Sequence, residues 1–123
     1  MYFDFIKGVM IMTIRKVVKA SEVTGVSVHN QNGEHLGKIN EVVLDKAMGR
    51  VSYLVLDFGG LLHFGNKFFA IPWKLFAYDE QKDCFILNLT KEQLKDAPGF
   101  DKENWPNFTT RETSALIEQF YTK

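Results

Sequence analysis

At 123 residues the chain is long enough for one hydrophobic core and too short for two ordinary domains. Hydrophobic residues make up 46%, with eleven Phe and two Trp, which supplies that core and excludes a disordered chain; the 24% of charged residues is an ordinary share for a soluble domain. Fifteen basic residues balance fifteen acidic ones, so the molecule lacks the overall cationic field that drives non-specific nucleic-acid binding.

The chain begins MYFDFIKGVMIM. Asp4 precedes Lys7 and no small-residue cleavage site follows, so it makes a poor secretory signal. Lys7-Gly8-Val9 before Met10 and Met12 is what a purine-rich ribosome-binding sequence gives when translated in frame. One expectation is therefore that translation starts at Met12 and that residues 1–14 are an extension outside the domain. The other is an ordered strand or turn packing Phe3, Phe5 and Ile6 on the core or on a second chain. Arg15, Lys16 and Lys19 form the one candidate basic patch, and three such charges ordinarily make a solvated face.

Ser21 to Gly25 pairs a capping residue with a terminating glycine and reads as one helical turn. A strand, Val26 to His29, follows. Gln31 to Glu34 turns the chain into Leu36 to Asp45, whose apolar positions change face, with a bulge expected at Gly37. Lys46 to Gly49 is a turn. Arg50 to Phe58 is apolar on both faces apart from Ser52 and Asp57, which predicts a central strand covered on both sides. Lys67 to Ile71, ended by Pro72, Leu75 to Tyr78, and Cys84 to Leu89 are further strands, the last two joined by the polar turn Asp79 to Asp83. Five or six short strands with regular turns predict a mainly β fold, a small barrel spanning residues 15–90.

From residue 91 to 123 the pattern turns helical. Thr90-Lys-Glu-Gln93 is a capping box, closed by Pro98-Gly99. Thr109-Thr-Arg-Glu112 reads as a second box, opening an amphipathic helix whose Leu116, Ile117, Phe120 and Tyr121 form one stripe to be buried on the barrel or a partner. Between the boxes, Phe100 to Phe108 carries three aromatics and predicts a strap anchored to the barrel.

Little here points to catalysis. Cys84, the one cysteine, cannot form an intrachain disulfide; it fits a reducing cytoplasm and reads as a small buried hydrophobe in its strand. His29, His35 and His63 have no partner at metal-ligand spacing, so neither metal nor other cofactor is expected. Asp57 is the sharpest polar anomaly and is expected to accept the Gly59 and Gly60 amides. Ser27, Ser52, Ser114 and Cys84 lack an evident base, and Asp57 with His63 alone does not make a mechanism. No apolar run reaches the ~18 residues of a membrane-spanning helix. The feature with most functional promise is Leu61-Leu62-His63-Phe64, an apolar cluster in a glycine-bounded loop. Its cover is the chain's own tail, a second copy of the chain, or another macromolecule, and with Phe120 these four residues are the candidate interface.

Three ordered motifs, Gly33-Glu-x-Leu36-Gly-x-Ile39 through Asp45, Gly49 to Gly60, and Lys67 to Trp73, resemble the PRC-barrel family. Thr90 to Leu94 and Pro98 to Asp101 with Trp105-Pro106 are similar to the tail of its free-standing bacterial members, so the likeness covers roughly residues 15 to 121. It departs where the family's loop usually has glycine and aspartate and this chain has His63 and Asn66. The resemblance implies a barrel of about six strands, shared with the photosynthetic reaction-centre H subunit and a ribosome maturation factor. It brings no catalytic residues. The expected function is a non-enzymatic protein-binding adaptor, homodimeric and cytoplasmic, in stress response or regulation. The alternative is an RNA- or ribosome-associated factor using Arg15, Lys16, Lys19 and Arg50, which the neutral net charge disfavours.

Overall fold

A computed structural model describes residues 2–6, 9–13, 17–59 and 67–122. In chain order come β1 (Tyr2–Ile6), β2 (Val9–Thr13), α1 (Ala20–Val23), β3 (Ser27–His29), β4 (His35–Asp45), β5 (Arg50–Asp57) and β6 (Phe68–Pro72). A 3-10 turn (Trp73–Leu75) leads to β7 (Phe76–Asp79), β8 (Cys84–Leu87), α2 (Lys91–Lys95) and α3 (Arg111–Tyr121). β1 and β2 form an antiparallel sheet of their own. The other six strands make one sheet, ordered β6-β5-β4-β3-β8-β7 and curled into a half-barrel, in which only β3 and β8 run parallel. The mainly β architecture expected from the turn spacing is the one observed.

The change of apolar face along β4 has a direct cause. Pairing with β3 passes from Val28↔Gly37 to His29↔His35, which leaves Leu36 as an extra residue. Pairing with β5 passes from Ile39↔Leu56 to Glu41↔Val55, which leaves Asn40 as another. Each extra residue reverses the alternation of side chains, so Leu36 and Ile39 are both buried despite opposite parity. Glycine is required beside the first bulge, because a Cβ on Gly37 would stand 2.0 Å from the Asp57 carbonyl oxygen. The β3–β4 turn is organised by buried Asn30, whose Oδ1 accepts from the Asn32 and Glu34 amides at 3.0 and 2.9 Å while its Nδ2 donates to Glu34 Oε1 at 3.0 Å.

β5 is apolar on both faces because each face has its own core. Leu54 and Leu56 join Val28, Ile39, Phe69 and Ile71 inside the half-barrel, closed by Val23 of α1 and by Leu94 and Ala97 at α2. Tyr53 faces the other way and packs with Ala70 and Ile117 under α3. Complete burial of a side chain such as Phe69 stabilises by about 1.5 to 3 kcal/mol.

Several expected details are corrected. The cap of α1 lies two residues earlier than expected, at Lys19, which leaves Ser21 inside the helix, where its carbonyl accepts from the Thr24 hydroxyl at 2.8 Å. Leu75 belongs to the 3-10 turn and β8 ends at Leu87. The box at Thr90 forms as expected, but the cap of α3 is Thr110, which accepts from the Thr113 amide, and Thr109 bonds Asn107 instead. The stripe that packs is narrower than expected: Ile117 is buried, Phe120 and Tyr121 are half-buried, and Leu116 is 58% exposed.

Candidate docking surface

The anticipated interface loop, Leu61, Leu62, His63 and Phe64, lies outside the described residues, as do Asn66, Arg15, Lys16 and the side chains of Phe3, Phe5 and Ile6. Phe120 is half-buried against the inner core, its ring 4.9 Å from and edge-on to Tyr121. Asp57 is buried, and its Oδ1 accepts the Gly59 amide at 2.9 Å, one of the two bonds expected of it; Gly60, the other expected donor, lies outside the described residues. Cys84 is buried in β8. The His29 and His35 rings meet at 5.0 Å across the β3–β4 pair, yet among the described residues no three His, Cys, Asp or Glu side chains could hold a metal.

An exposed apolar surface lies elsewhere, built on β8. Phe85 is buried and stands directly opposite Tyr78 of β7. The Tyr78 ring lies 5.4 Å from it, Phe76 5.9 Å and Trp73 6.1 Å, all edge-on. Pro72 ends β6, and the 3-10 turn that follows swings Trp73 back over Phe85; Lys74 pins the turn to α3 through Glu118 at 3.6 Å. Trp73 stays 43% exposed and Tyr78 49%. Facing them, Val17 and Val18 are 77% and 60% exposed on the approach to α1. Together with Val23 and Val26 they enclose an open groove of about 590 Å³, within the range of ligand clefts. Its rim is acidic: Glu22, Glu80 and Asp83 line it, and the Lys19 ammonium stands outside the lining, 3.9 Å from Glu22. The Tyr78 hydroxyl donates to the Asp83 carboxylate, and that bond pushes its pKa up to about 12.

Sequence reasoning missed this surface because its residues are scattered over α1 and its flanks, the 3-10 turn, β7 and β8. The available signal was the cross-strand register: a four-residue turn at 80–83 places Tyr78 against Phe85, so both rings share a face. Chemically, the groove offers stacking rings, aliphatic walls and carboxylates, and among the described residues it brings no nucleophile and base together. Among the described residues no helix is long and apolar enough to cross a membrane.

A model of the PRC-barrel domain matches residues 15–94, which takes in β3 to β8 and most of α2. No curated protein matches the chain.

Proposed function

The chain belongs to the PRC-barrel domain family, and from that premise we propose that it is a protein-binding module without catalytic chemistry, a homodimeric cytoplasmic adaptor in regulation or stress response. The observation that carries this reading is the groove: two half-exposed aromatics and two exposed valines gathered over buried Phe85. Aromatic side chains of this kind are enriched at protein interfaces because they offer large area at small entropic cost. The acidic rim supports a protein partner over RNA, since carboxylates repel phosphate. The expected dimer contact is the apolar loop from Leu61 to Phe64.

Two measurements test the two halves. A photo-crosslinking residue at position 73, compared in the source cells with one at position 102 on the strap, is expected to capture one defined protein at 73 alone; equal labelling from both positions sinks the adaptor. Light scattering is expected to give twice the chain mass, falling to one for Phe64→Ser. A monomer at every concentration removes the dimer.

A further inference from the structure

We propose that the open edge of β7, together with the groove beside it, binds an extended peptide segment that is apolar at alternate residues and flanked by lysine or arginine. The segment adds as a seventh strand to the sheet. This rests on the adaptor reading and gives it a binding mode.

Among the described residues β7 ends the strand order and pairs with β8 alone. Its outward-facing backbone groups follow from one hydrogen bond. Phe76 donates its N–H to the Trp73 carbonyl, away from β8. Backbone groups alternate sides along an antiparallel strand, so Ala77 and Asp79 face β8 while the Tyr78 N–H and C=O face outward. Among the described residues no backbone hydrogen bond beyond the β8 pairing reaches Tyr78. An edge with an open donor and acceptor is a template for another strand.

The groove specifies which strand. A segment paired at Tyr78 presents every second side chain to the face that carries Tyr78, Phe85 and Trp73, where the lining is apolar. Beyond that lining the rim carries the carboxylates of Glu22, Glu80 and Asp83. An added strand with cationic ends is therefore complementary, and one with acidic ends meets like charge.

The test uses the full chain and three synthetic peptides: a Val-Thr-Val-Thr-Val core with lysine at both ends, the same core with glutamate ends, and the lysine peptide N-methylated at alternate residues. Trp73 emission reports binding and amide hydrogen exchange reports pairing. The lysine peptide is expected to shift Trp73 emission and to slow exchange at Tyr78 by about tenfold or more. Raising salt from about 0.05 to about 0.5 M should weaken it roughly threefold or more. The other two peptides should bind at least about tenfold more weakly, as should the lysine peptide to Asp83→Asn plus Glu22→Gln. Binding that leaves Tyr78 exchange unchanged overturns strand addition, and equal affinity for the glutamate peptide overturns the charge selection. A Tyr78 amide protected in the chain alone, increasingly with concentration, replaces the peptide with a second copy of the chain. Crosslinking from position 73 that persists when every peptide fails overturns this mode and leaves the adaptor reading standing.

Discussion

The two edges of the six-stranded sheet are treated in opposite ways. At β6 the outer side is bonded at one end and covered beyond it: Phe68 exchanges hydrogen bonds with Phe100, N–H to carbonyl at 2.8 Å and back at 2.9 Å, Ala70 is buried with Ile117, and Pro72 removes a donor. Trp105 lies 5.7 Å from Phe68 and 4.8 Å from Phe100, and Phe108 reaches Tyr53 at 5.9 Å, so the strap holds β6 by its rings as well as its backbone. At β7 no such cover is present among the described residues, and the strand is only four residues long. The family match ends at residue 94, so the strap and helix that cover β6 come from beyond it, while both edges lie within it. An exposed edge invites unwanted pairing unless it is short or covered. This chain covers one with its tail and leaves the other short, aromatic and ringed by carboxylates.

The sharpest way to break that comparison is to loosen the covered side. Ile117 is 4% exposed and is the one α3 residue buried in the cluster with Tyr53 and Ala70. Ile117→Ala should cost about 2 to 5 kcal/mol in urea denaturation, the range for a large aliphatic removed from a core. A loss under about 1 kcal/mol would make α3 a loosely held arm. The next effect tests the strap itself. A Cβ on Gly99 would meet Phe69 Cε1 at 2.8 Å and the Phe68 carbonyl oxygen at 3.1 Å, and the backbone atom cannot rotate away. Gly99→Ala should therefore destabilise by about 1 to 3 kcal/mol and speed amide exchange at Phe68 before that at Leu54.

Wherever one strand's own pattern decides the structure, the sequence was a sufficient guide. The two-faced apolar run at 50–58 implied cover on both sides, and both cores exist. Gly37 marked a bulge for a reason visible in the chain, since glycine inside a strand signals a bulge or a close backbone approach, and here it is both. The helix caps were half legible. Thr109 and Thr110 are both capping residues, and Glu112 favoured the wrong one; the choice fell to Thr110 because Asn107 Oδ1 takes the Thr109 amide and hydroxyl, at 3.0 and 2.6 Å. The groove was not legible, because its walls come from residues 17–26, 73, 78 and 85, which only the strand order brings together.

A smaller effect, of opposite sign, sits where the two cores meet. Tyr121 packs against both, and its hydroxyl is buried without a hydrogen-bond partner among the described residues. Removing an unpaired buried polar group can stabilise, so Tyr121→Phe should raise stability by about 1 kcal/mol. Burial also pushes the Tyr121 pKa well above its ordinary 10.0. The folded chain then keeps a proton that the unfolded chain releases, so this contribution is full below pH 10 and is lost as pH rises above it. Tyr121→Phe should flatten the alkaline decline in melting temperature, in part only, because Tyr53 and Tyr78 are shifted in the same direction.

The smallest expected change in stability belongs to Leu116, which is 58% exposed and packs in neither core. Leu116→Ser removes a side chain that packs on neither core, so denaturation should move by no more than about 0.5 kcal/mol, the ordinary range at the surface. Its value lies in the second readout. α3 shields β6 on one side and offers Leu116 on the other, so a dimer seam along α3 would be lost in Leu116→Ser with folding intact. The expected result is a dimer mass unchanged by Leu116→Ser and lost in Phe64→Ser, which keeps the contact at the 61–64 loop. The reverse pattern would move the seam to the outer face of α3, and the tail that closes one sheet edge would then also join two chains.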